Sequence, residues 1–151
     1  MKKLFGIFIF TLLFVACKKS NNASCPDTDE DCSGVACLIH NYYFYFRLID
    51  KTSGEDLVFG SHPRYTAADV SLFSDADRNF PVPIIEDAGH QYFKVSDAQP
   101  EMYLVIAGSG VYKLNVDFKL VDCCTSRVKN LSIDGRTICT CCSNAIELPV
   151  D

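Results

Sequence analysis

The stretch Lys113-Leu114-Asn115-Val116-Asp117-Phe118-Lys119-Leu120-Val121 decides the fold. Leu114, Val116, Phe118 and Leu120 alternate with Lys113, Asn115, Asp117 and Lys119. Successive side chains of a strand point to opposite faces, so this period of two predicts a strand with one packed face and one wet face. Further on, Asp134-Gly135 separates two more strand-like runs, 131–133 and 137–139. Asp-Gly accepts the positive φ of a type I′ turn, so those runs are expected to form a hairpin. A last run, 145–150, is expected to close the sheet.

Upstream, Tyr42, Phe44, Phe46 and Leu48 alternate with Tyr43, Tyr45, Arg47 and Ile49. Both sets are largely apolar, which predicts a central strand, ended by the turn formers Asp50 to Gly54. Shorter candidates follow at 57–59, 70–73 and 82–85, the last confined to an edge or a strand start by Pro81 and Pro83. Asp87-Ala88-Gly89 turns the chain, runs 91–95 and 102–107 follow, and Gly108-Ser109-Gly110 reverses it again. No stretch has the period of an amphipathic helix.

Eight or nine short strands without intervening helices predict an all-β fold, a single antiparallel β-sandwich over 35–151, although the count also suits a barrel. The pattern broadly resembles immunoglobulin-like or transthyretin-like domains of exported lipoproteins, a likeness that carries no functional residue across.

The N-terminus bears on location. Met1, Lys2 and Lys3 precede an apolar run from Leu4 to Val15, then Ala16 and Cys17. The run is shorter than the roughly 20 residues needed to span a bilayer and reads as a cleaved signal, 1–16. Phe14-Val15-Ala16-Cys17 resembles the lipobox of bacterial lipoproteins, with Phe14 where Leu is usual. The resemblance implies that the Cys17 thiol receives a diacylglycerol, that the chain is cut before it, and that the new amino group takes a further acyl chain such as palmitate. Each buried methylene contributes about 0.8 kcal/mol, so several chains hold a protein at the membrane where one is marginal. A Gram-negative outer membrane is the expected setting, and residues 17–34, polar and acidic, read as a tether.

Removing the signal leaves about 135 residues, enough for one core. Loss of Lys2 and Lys3 takes the formal charge from −5 to about −7, which argues against a nucleic-acid partner. Of nine cysteines, eight remain if Cys17 carries lipid: Cys25, Cys32, Cys37, Cys123, Cys124, Cys139, Cys141 and Cys142. An even number in an exported chain predicts disulfides. With three before residue 40 and five after residue 120, full pairing needs at least one bridge between the two ends. Either Cys123 or Cys124 is also expected to reach the 139–142 group across the Asp134-Gly135 turn. The run Cys139-x-Cys141-Cys142 is read as lacking both the paired knuckles of a zinc site and the Cys-x-x-Cys of a dithiol redox motif.

Other constellations are weak. Asp27-x-Asp29-x-Asp31 imitates a calcium loop but has Cys32 and Leu38 where glycine and glutamate belong. Asp75-x-Asp77-x-Asn79 reads as a polar turn. His40, His62 and His90 are isolated, and no catalytic motif accompanies them. The seven tyrosines can serve as a stacking platform or as strand packing. No catalytic residue, metal or cofactor is assigned. The expected function is that of a non-enzymatic, lipid-anchored envelope protein presenting a sandwich to a protein or glycan. The alternative is a hydrolase or metal-dependent enzyme, which a pocket gathering a histidine with carboxylates would favour.

Overall fold

Alternating β-branched, aromatic and polar residues produce nine strands in the computed structural model, which describes residues 33–37, 42–142 and 145–151. The signal, Cys17, the tether as far as Cys32, with Cys25 and the Asp27-x-Asp29-x-Asp31 run, and His40 lie outside the described residues. The strands are β1 (Phe44–Asp50), β2 (Val70–Phe73), β3 (Ile84–Asp87), β4 (Tyr92–Val95) and β5 (Glu101–Ile106). They continue as β6 (Gly110–Leu120), β7 (Ser126–Ile133), β8 (Arg136–Thr140) and β9 (Ile146–Val150). A three-residue 3₁₀ helix, Ala67–Asp69, precedes β2.

Two sheets form, ordered β3-β4-β1-β9 and β2-β5-β6-β7-β8. They are separate layers, so the molecule is a sandwich. β1 is central, as expected, and β3, preceded by two prolines, is an edge. Asp134 and Gly135 both have positive φ, 48° and 77°, and Ile133 pairs with Arg136 across them, the expected two-residue hairpin.

The inner faces share one core. Phe46, Leu48, Phe93, Val95 and Leu148 from the four-stranded sheet meet Leu72, Met102, Leu104, Leu114, Val116 and Leu131 from the five-stranded one, all essentially solvent-free. The rings of Phe46 and Phe93 stack at 5.1 Å. Burial of each large apolar side chain contributes about 1.5–3 kcal/mol before conformational entropy is set against it.

Three features depart from the sequence pattern. The ladder of β6 and β7 shifts register between Asp117 and Phe118. A bulge re-aims the residues that follow, so Phe118 is only half-buried, against Tyr42 at 5.2 Å, and Leu120 is 42 % exposed. Residues 57–59 form no strand: a lone bridge joins Ile49 to Asp56, whose side chain accepts the Val58 and Phe59 amides and bends the chain. Finally, β9 pairs with β1 in parallel, while the other strand pairs are antiparallel. β9 arrives from β8 in the opposite sheet, so no hairpin fixes its direction.

Two disulfides close among the described residues. Cys37–Cys124 spans 87 positions and joins the N-terminal segment to the β6–β7 turn, the expected bridge between the two ends. Cys139–Cys142 spans three positions at the end of β8. Their Cα separations, 5.4 and 5.6 Å, are ordinary. Of the bridge expected from Cys123 or Cys124 to the 139–142 group, the Cys124 route is not taken: Cys124 is held by Cys37, and Cys139 by its close neighbour Cys142. Cys123 and Cys141 are disulfide-bonded as well.

Candidate functional site

The two faces of β1 differ in chemistry. Phe44, Phe46 and Leu48 point into the core, which leaves Tyr45 and Arg47 on the outer face, with Tyr43 just ahead of the strand. Register places Lys94 opposite Tyr45, and Asp87 opposite Tyr92, so the outer face of the four-stranded sheet is a lattice of rings and charges. The rings of Tyr43 and Tyr45 meet edge to face at 5.9 Å. The Lys94 ammonium lies 5.4 Å from the centre of the Tyr43 ring, and the Arg47 guanidinium 5.9 Å from that of Tyr92. Arg47 also pairs with Glu147. Such contacts orient the tyrosines before any ligand arrives.

Beside these rings opens a cleft of about 520 Å³, a size usual for small-molecule sites of roughly 300–1,000 Å³. Tyr43, Tyr45, Tyr92, Asp87, His90, Ser126, Arg127 and Cys142 are among the residues that line it. Local chemistry sets each group. Asp87 ends β3, and the turn that follows returns His90 to it, with Nδ1 2.9 Å from the carboxylate. The His90 hydrogen bond holds the Asp87 carboxyl below its usual range. Asp122 accepts the Cys124 and Thr125 amides at 2.8 and 2.7 Å, closing the turn that delivers Ser126 to β7. Both described disulfides border this region, through Cys124 in that turn and Cys142 in the wall.

Ser126 stands out. It is 4 % exposed, and its hydroxyl has no hydrogen-bond partner among the described residues. A buried polar group left unpaired costs about 1–3 kcal/mol, so the fold carries a penalty at this point in the cleft.

Asp87, His90 and Ser126 are the residue types of a nucleophilic hydrolase, and they line one cleft. Their geometry differs from a working set. The nucleophile must hydrogen-bond the base, whereas the Ser126 hydroxyl bonds nothing described and the His90 side chain is 79 % exposed in a turn. His62 contacts Ser61 at 3.0 Å on the surface and does not line the cleft.

The cysteines give a correction. Cys139 and Cys142 are three apart and bonded, so the Cys-x-x-Cys spacing is present; reading the run as Cys139-x-Cys141-Cys142 passes over it because Cys141 interrupts the motif. All six described cysteines are disulfide-bonded, which leaves no thiolate among them for zinc, and no cluster of three metal-ligating side chains occurs among the described residues. The Asp75-to-Asn79 segment is a polar turn, with Asp75 accepting the Asn79 and Phe80 amides.

Of the tyrosines, the fold gathers Tyr43, Tyr45 and Tyr92. Tyr42 packs on Phe118, Tyr65 against the core, and Tyr103 and Tyr112 bond Glu101 and Ser109. Ser126 and Arg127 were not legible as site residues. Their signal was the alternation Ser126, Val128 against Arg127, Lys129, which extends β7 five residues ahead of the 131–133 run. Comparison with protein-family models, with curated proteins and with solved structures finds no match for this chain.

Proposed function

We propose that this chain is a non-enzymatic, lipid-anchored protein of the cell envelope, in a Gram-negative outer membrane, whose sandwich, of immunoglobulin-like or transthyretin-like kind, presents the tyrosine-lined cleft to a protein or glycan. The observation that carries the binding half is the gathering of Tyr43, Tyr45 and Tyr92 around one opening, where scattered burial would have left no surface. Tyrosine offers an apolar ring and a polar tip with little side-chain entropy to lose, which suits recognition. The anchoring half rests on the lipobox-like Phe14-Val15-Ala16-Cys17, and the disulfides suit an oxidising compartment.

Membrane fractionation of cells expressing the chain and its Cys17→Ser variant tests the anchor. The parent should enter the detergent phase and the variant should be released or exported poorly, since no thiol remains for the lipid. A variant retained as firmly as the parent would end this reading.

The hydrolase reading has one observation in its favour, the presence of Asp87, His90 and Ser126 in one cleft. Ester hydrolysis that is lost in both His90→Ala and Ser126→Ala would establish it over the binding reading.

A further inference from the structure

The walls of the cleft discriminate among ligand classes. Arg127 and Asp87 line it together, so a multiply charged anion meets a carboxylate and a cation meets a guanidinium. The neighbouring cations are engaged, Arg47 with Glu147 and Lys94 over the Tyr43 ring. A wholly apolar ligand would strip water from Asp87, which is unfavourable, and would offer the Ser126 hydroxyl no partner. What remains is a ligand with little net charge, apolar faces for the tyrosine rings, and groups that both donate and accept hydrogen bonds.

We infer that the cleft binds a neutral saccharide unit, its ring laid against Tyr45 and its neighbours and its hydroxyls reaching Ser126, Arg127 and Asp87. This rests on the binding reading above and names its ligand class. The C–H faces of a pyranose match the ring surfaces, and a sugar hydroxyl supplies the partner that Ser126 lacks. The volume, about 520 Å³, suits a short glycan segment in a cleft open to solvent. Ser126 then serves the ligand at the expense of the empty fold.

The test is an amide chemical-shift titration of the full mature protein in a zwitterionic, sugar-free detergent, with glucose, galactose, mannose and N-acetylglucosamine, and with trialanine as a peptide probe. At least one sugar should produce saturable shifts confined to the cleft residues, with Kd of about 1 mM or tighter. Tyr45→Ala should weaken binding about tenfold, Tyr45→Phe, which keeps the ring, no more than about twofold, and Ser126→Ala about fivefold. Shifts unaffected by Tyr45→Ala, or lying elsewhere on the sandwich, overturn the inference. So does a response to trialanine alone, which would leave the binding cleft standing; silence from every probe counts against the cleft itself.

Discussion

The N-terminal seventeen residues and the cleft carry meaning in opposite ways. The first is a local text: charge, apolar run, small residue and cysteine in sequence order, each legible from its neighbours. The second exists only after folding, since Tyr45 on β1, Tyr92 on β4 and Ser126 on β7 come from three distant parts of the chain. The location signal proposed for those residues would be readable by machinery that meets an extended chain. The cleft's residues are held in place by two sheets and their disulfides.

The largest way to break that contrast is to cut the long staple. Cys37–Cys124 closes 87 positions and Cys139–Cys142 three, and the loop-closure entropy removed from the unfolded chain grows with loop length. Replacing Cys37 and Cys124 together by serine is expected to cost about 4–5 kcal/mol, and Cys139 with Cys142 about 2 kcal/mol. Urea denaturation measures both, and membrane attachment should survive either change. Equal losses would show that strain or residual structure, not loop length, governs these bonds.

A smaller and opposite effect is expected at Ser126. Ser126→Ala removes a buried hydroxyl with no described partner and should stabilise the empty protein by about 1 kcal/mol in the same measurement. A clear destabilisation would mean that the hydroxyl is satisfied in the folded protein.

How much could be read in advance follows the same division. The strand alternation, the Asp134-Gly135 turn and the central place of β1 were legible because each is encoded within a few residues. The bulge at Asp117/Phe118, the parallel β1–β9 pair and the bend at Asp56 were not, since each is settled by packing between distant elements or by a side chain capping the backbone. The cleft was visible only as a surplus of tyrosines. Alternation puts Tyr42 and Tyr45 on opposite faces, but nothing local says which face borders a cleft and which packs on Phe118. The bridge between the two chain ends followed from cysteine parity, but the choice of Cys37 for Cys124 did not.

The smallest expected effect is a pH dependence remote from the cleft. Amides of Ser53 and Thr52, then Arg64 at 2.9 Å, hold the Asp50 carboxyl down to about 2 from a usual 3.8. A depressed folded-state value stabilises above the unfolded one and is lost as pH falls through the folded one. The turn after β1 should therefore stay firm above about pH 4 and loosen between about pH 4 and pH 2. Hydrogen exchange at Thr52 and Ser53 would show it, and protection unchanged across that window would count against the carboxylate as the clamp.

The most direct measurement on the whole is the mass of the N-terminal peptide of protein purified from membranes. A lipid-anchored binding domain requires a chain that begins at Cys17 and carries a diacylglycerol on the thiol with an acyl chain on the new amino group. A peptide that begins elsewhere, or a Cys17 whose thiol is free or bonded to another cysteine, would contradict it.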